Sequence, residues 1–167
     1  MNRPPVGISS CLLGRRVRYD GGHKRSDPLM ELAEVFRWVP VCPEVEIGVP
    51  TPREPMRLER TNGDVRMIAP ATSLDVTESM RDYSAARVMR LQQEGICGYV
   101  FKSRSPSCGF REVPVFEDGE LADPRGRGLF AQALASAMPS LPVEEETALE
   151  DPSRRAGFIE RVLAYRP

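Results

Sequence analysis

Val6-Gly7-Ile8-Ser9-Ser10-Cys11 is the stretch that decides the fold. A short apolar run that passes into polar residues reads as a β-strand ending in a turn, with Cys11 just past its end. Leu12-Leu13-Gly14 follows, then a polar segment up to the double glycine Gly21-Gly22, which marks a sharp loop. Ser26 or Asp27 predicts a helix cap with Pro28 at the first position, and Leu29, Leu32 and Phe36 share one face. Arg37 to Val41 reads as a second strand that ends at Cys42, with Pro40 suited to an edge or a strand end. The strand–cysteine pattern thus occurs twice, with a helix between.

Farther out, Cys42-Pro43-Glu44-Val45 begins an irregular stretch stiffened by Pro40, Pro43, Pro50, Pro52 and Pro55, a suitable platform for holding a side chain still. Asn62-Gly63 predicts a hairpin-type turn within Glu59 to Asp64. Asp75 and Glu78 form a capping-box pattern before a helix with Met80, Ser84, Val88 and Leu91 on one face, which Gly95 can end. Ile96 to Phe101 reads as a buried strand containing Cys97, and it leads into Lys102-Ser103-Arg104-Ser105-Pro106-Ser107-Cys108-Gly109. Val113 to Phe116 is a short strand candidate with Asp118-Gly119 as its turn. Arg125-Gly126-Arg127-Gly128 opens a helix bearing Leu129, Phe130, Ala133, Leu134 and Ala137. Leu141 to Val143 reads as a last strand, and Asp151-Pro152 caps a helix with Phe158, Ile159, Val162 and Leu163 as its stripe.

Strands alternating with helices predict an α/β fold: a single compact domain over residues 1–167, with a mainly parallel sheet flanked by helices. Ligands of such sheets gather beyond the C-terminal ends of the strands. Cys11, Cys42 and Cys108 each follow a predicted strand, so they are expected to converge on one edge.

With 167 residues, 41% hydrophobic and 28% charged, the chain has the composition of a soluble globular protein. The formal net charge of −1 argues against sequence-blind nucleic-acid binding. No apolar run reaches the roughly 20 residues of a membrane span, and Met1 to Pro5 lacks a signal-peptide layout, so a cytoplasmic location is expected. Four cysteines there are ligands, reactive thiols or core residues rather than a disulfide framework. His23 is the single histidine, which excludes a His-rich zinc enzyme, and no C-x-x-C pair is present.

Three thiolates at one edge would leave a four-iron cluster with one iron free of protein ligands, a thiophilic Lewis acid suited to a sulfur-bearing substrate. Glu44 would lie beside that cluster, with Ser103, Ser105 and Ser107 around the third cysteine. Arg15, Arg18, Lys102 and Arg104 would offset negative charge. Blander readings exist by residue type alone. Cys97 suits the core, His23 a loop and Glu44 a turn cap, and Arg125-Gly126-Arg127-Gly128 is a plain helix opening or a phosphate cradle.

Three blocks resemble the thiouracil desulfidase family. The first is Ile8-Ser9-Ser10-Cys11-Leu12-Leu13-Gly14 with Val17-Arg18-Tyr19-Asp20-Gly21, and the second is Val39-Pro40-Val41-Cys42-Pro43-Glu44-Val45. The third is Lys102 to Gly109, and Phe158-Ile159-Glu160-Arg161-Val162 fits the family's end. The resemblance implies a 4Fe-4S cluster on Cys11, Cys42 and Cys108, and conversion of 2-thiouracil to uracil and hydrosulfide. It implies Glu44 as the acid–base group, Ser105 as the substrate-activating serine with Ser103 beside it, and Ser10, Asp20 and Ser107 as substrate-binding residues. The expected partner is a small thiolated base, with neither membrane nor nucleic acid. Three other classes stay open: a non-catalytic or regulatory iron–sulfur protein, a zinc-stabilised domain using Cys11, Cys42, Cys108 and His23, and a thiol redox switch.

Overall fold

The structure is a computed structural model that describes residues 2–167. In chain order its elements are β1 (Pro5–Ser9), α1 (Asp27–Glu31), β2 (Arg37–Val41), α2 (Pro43–Glu46), β3 (Arg57–Thr61), β4 (Asp64–Ala69) and β5 (Leu74–Asp75). They continue with α3 (Thr77–Gln93), β6 (Gly98–Phe101), β7 (Val113–Glu117), β8 (Glu120–Gly126), α4 (Leu129–Ala137), β9 (Val143–Glu145) and α5 (Pro152–Ala164). A four-stranded sheet runs β2-β1-β6-β9, parallel throughout. A five-stranded sheet runs β5-β4-β3-β7-β8, antiparallel except where β3 meets β7.

The parallel sheet is covered on both faces, as its apolar strands require. Val6, Ile8 and Val100 pack with Leu29 and Leu32 of the α1 region and Phe158 and Val162 of α5. On the other face, Val39, Val41, Tyr99 and Phe101 pack against Met80, Val88 and Leu91 of α3, Phe130 and Leu134 of α4, and Leu58, Met67 and Val115 of the second sheet. Pro40 is tolerated because β2 is an edge strand. Gly7 pairs with Tyr99, whose fully buried ring fills the place of a side chain on β1, and a Cβ at Gly7 would collide with that ring. Gly7→Ala should therefore cost about 1–3 kcal/mol by overpacking, read as a lower urea midpoint. An unchanged midpoint would show that the ring yields freely.

The chain departs from the expected element boundaries at several points. The first helix stops at Glu31 and continues as a 3₁₀ turn, Leu32–Glu34. Proline at position 43 starts one helical turn where an irregular stretch was expected. Glu78 pairs with Arg66 rather than closing a capping box, while Asp75 Oδ1 accepts the Thr77 N–H at 2.9 Å. Cys97 lies outside β6, its N–H donating to Pro5 O. The last strand falls at Val143–Glu145, because Leu141 N–H is taken by Met138 O in a turn and Pro142 has no N–H. Arg125 and Gly126 end β8 instead of opening α4. Asn62-Gly63 and Asp118-Gly119 both form the expected hairpin turns, with φ of 51° and 79° at the first pair and 51° and 80° at the second. Among the described residues, no helix is long and apolar enough to cross a membrane.

Candidate active site

The strand order β2-β1-β6 makes three C-terminal ends neighbours, and strands about 4.8 Å apart put those ends within roughly 10 Å. Cys11 follows β1 on the 3₁₀ turn Ser10–Leu13, which Gly14 closes at φ 86°. The carbonyl of Cys11 accepts from Gly14 N at 3.2 Å and Lys24 N at 2.9 Å, fixing that turn. Cys42 is the N-cap of α2, and its own N–H donates to Glu46 Oε2 at 2.7 Å.

Cys108 sits on the loop after β6, which is tied down from four sides. Ser105 Oγ accepts from Ser107 N at 3.3 Å and Cys108 N at 3.0 Å, a serine-centred turn. Ser9 Oγ accepts from Lys102 N at 3.0 Å. The first amides of α4 dock onto the loop: Gly128 N to Gly109 O at 2.8 Å, Leu129 N to Pro106 O at 3.1 Å and Ala131 N to Ser107 O at 3.1 Å. Those amides are committed to the loop, so Arg125-Gly126-Arg127-Gly128 is no phosphate cradle. The end of β9 grips both flanks, with Glu146 Oε2 accepting from Ser103 N at 2.7 Å and Glu145 Oε2 from Phe110 N at 3.1 Å.

The three thiols line one cavity of about 360 Å³, together with Glu44, Arg53 and Ser107. A second cleft of about 560 Å³, between the five-stranded sheet and α3–α4, is larger but has no cysteine in its walls. Among the described residues, no three Cys, His, Asp or Glu side chains close on a single ion. His23 is exposed, does not line the cavity and accepts the Arg25 N–H on Nδ1, so it is no fourth ligand beside the three thiols. Cys97 belongs to the core on the α1–α5 face.

Glu44 is held at both oxygens. Arg53 Nε donates to Oε1 at 3.1 Å, and Ser107 Oγ donates to Oε2 at 3.2 Å. Ser105 Oγ lies 3.1 Å from Ser107 Oγ, so the hydroxyls form a chain ending on the carboxylate. Lys102, Arg18 and Arg104 add positive charge to the wall. Burial pushes Cys11 up to about 11 and Cys108 up to about 12, and burial also raises Cys42. Folded-state values above the ordinary thiol value of 9.0 mean that the protonated thiols favour the metal-free fold. That contribution is complete below about pH 9 and is lost as pH rises toward 11. The metal-free protein should lose about 1 kcal/mol by pH 10 through Cys11 alone, at about 1.4 kcal/mol per unit. Urea unfolding across pH 7–10 checks this, and a stability that rises with pH would contradict it.

Of the residues expected here, Ser10, Cys11, Cys42, Glu44, Ser103, Ser105, Ser107 and Cys108 line the cavity. Asp20 does not join them. Its exposed carboxylate accepts the Gly22 N–H at 2.8 Å, which holds it below the usual carboxylate range. The hydroxyl of Ser103 is committed to Glu146 Oε1 at 2.6 Å. Arg15 is exposed outside the lining. Arg53 and Glu146 carry no sequence motif, and their partners include distant residues: Val17 and Tyr19 for Arg53, Lys102 and Ser103 for Glu146.

The profile described as 2-thiouracil desulfurase matches residues 6–146. An uncharacterised protein of Bacillus subtilis (strain 168), YbbK, is 32% identical over 108 residues, covering 61% of this chain and 71% of the relative. A solved structure of a 4Fe-4S-dependent thiouracil desulfidase, TudS, matches with a TM-score of 0.72 at 31% identity, covering 93% of this chain and 97% of that one.

Proposed function

Because the chain belongs to the 2-thiouracil desulfurase family, we propose that it removes sulfur from a thiolated pyrimidine of the 2-thiouracil type, using a 4Fe-4S cluster on Cys11, Cys42 and Cys108. The observation that carries this reading is three thiols from the ends of three adjacent parallel strands, facing one cavity beside a paired carboxylate. The donor set suits the cluster: thiols are soft ligands, and three of them leave one iron free. When bound, the cluster supplies a thiophilic Lewis acid for the substrate sulfur.

The chain's own groups do the rest. Glu44 takes a proton from a water molecule aimed at the carbon that bears sulfur. That proton goes to the departing sulfur, and the hydroxyl proton of the addition product passes through Glu44 to solvent, so thiocarbonyl plus water gives carbonyl, hydrosulfide and one proton. Ser107 and Arg53 hold the two carboxylate oxygens in place during the transfer. Ser105 supports Ser107 and shapes the turn that presents Cys108. Lys102, Arg18 and Arg104 balance the negative charge gathered in the cavity. A reducing, cytoplasmic setting keeps the thiols available.

The test is anaerobic incubation of cluster-loaded protein with 2-thiouracil, quantifying uracil and sulfide. One sulfide per uracil, with turnover, is expected. A loaded protein that desulfurates no thiolated pyrimidine would favour a non-catalytic iron–sulfur role.

A further inference from the structure

We propose that Arg53 is a positioning residue that fixes Glu44 and at the same time latches the segment Val17–Gly22 over Cys42. The proposal rests on the desulfidase reading for its effect on rate. The Arg53 side chain is only 5% exposed, yet it lines the cavity. Its donors reach three separate pieces of chain. Nε binds Glu44 Oε1 at 3.1 Å, Nη2 binds Val17 O at 2.8 Å, and Nη1 binds Pro50 O at 3.3 Å and Thr51 Oγ1 at 3.0 Å. Its main-chain N–H binds Tyr19 O at 2.6 Å.

Residues 17–22 otherwise bond chiefly among themselves or to a near neighbour. Val17 N donates to Arg15 O, Arg18 N to Gly22 O, Gly21 N to Arg18 O and Gly22 N to Asp20 Oδ1. Their hydrogen bonds to the body run to Arg53, apart from a 4.0 Å contact from Cys42 Sγ to Val17 O, while the Val17 side chain packs against the core on the α1–α5 face. Arg53 Nη2, at 2.8 Å, is the closer donor on the Val17 carbonyl. A lysine has one compact ammonium in place of the planar fork, so it can serve Glu44 or Val17 but not both.

The test compares wild type, Arg53→Gln, Arg53→Lys, Glu44→Gln and the double variant Arg53→Gln/Glu44→Gln, all anaerobically reconstituted. Arg53→Gln should keep its iron and lose roughly 10–100-fold in kcat, with little change in KM, because a misplaced base costs rate rather than binding. Arg53→Lys should recover only part of that loss. The double variant should be no slower than Glu44→Gln alone, since Arg53 acts through Glu44. Hydrogen exchange of the metal-free protein should rise roughly tenfold or more in residues 17–22 of Arg53→Gln, with α5 unchanged. If Arg53→Gln loses iron, Arg53→Lys carries the kinetic comparison. Additive losses in the double variant, or unchanged exchange in residues 17–22, would overturn the proposal. An iron-loaded wild type that does not turn over would instead overturn the desulfidase reading, and exchange would then decide the latch.

Discussion

Cys42→Ser should give a folded, colourless protein with no measurable desulfuration. Serine is nearly isosteric with cysteine, but its hydroxyl stays protonated near neutral pH and is a poor ligand for iron. The substitution should not harm the fold. Cys42 is the N-cap of α2 and its side chain makes no cap hydrogen bond. Serine is among the best residues at that position, so the metal-free fold should hold or gain slightly. Iron should fall from about four per chain toward zero, because a cluster left with two protein thiolates is poorly held. The same loss is expected at Cys11 and Cys108. Cys97→Ser is the control, because Cys97 packs in the α1–α5 core with its Sγ on Gly95 O at 3.5 Å. Iron retained in Cys42→Ser, or lost in Cys97→Ser, would contradict the ligand assignment.

Glu44→Gln should do the opposite, keeping the cluster and losing the chemistry. An amide keeps the size of the side chain and offers an oxygen to Arg53 and an N–H to Ser107 Oγ, so the cavity wall should persist. It cannot take a proton from water. Loss of a positioned acid–base group typically costs about 10²–10⁴-fold in rate. A brown protein with kcat reduced in that range is expected, measured by sulfide release. Wild-type turnover in Glu44→Gln would move the proton transfer to another group. Loss of iron in that variant would make Glu44 a structural element of the cavity.

Much of the fold was legible because the sequence states it locally. Apolar runs that end at Cys11 and Cys42 announce β1 and β2, and Asp151-Pro152 announces α5, where Asp151 Oδ1 accepts the Ser153 N–H at 2.9 Å. The convergence of Cys11, Cys42 and Cys108 followed from the rule that parallel strands present their C-terminal ends on one edge. The five-stranded sheet was less visible. Its two tight turns show in the sequence, but the parallel pairing of β3 with β7 joins segments far apart along the chain.

The site was legible only where side chains act close to home. Ser105 and Ser107 flank Cys108 in sequence and in space. Asp20 lies in a suggestive block, yet the nearby Gly22 amide claims its carboxylate and the side chain points to solvent. Ser103 faces the cavity, but the strand-end glutamate Glu146, itself 9% exposed, claims its hydroxyl along with Lys102 Nζ. Arg53 gave no local signal at all. Its meaning comes from Glu44, Val17 and Tyr19, which meet it only once the prolines have turned the loop back over α2.

Three thiols holding a four-iron cluster with one open iron would set the metal content of the protein. Iron, acid-labile sulfide and zinc should be counted in anaerobically purified and reconstituted protein, with the visible spectrum recorded. About four irons and four sulfides per chain, with a broad absorption shoulder at ~400 nm and no zinc, is the expected result. A colourless protein that stays iron-free after reconstitution, or that carries one zinc per chain instead, would contradict it.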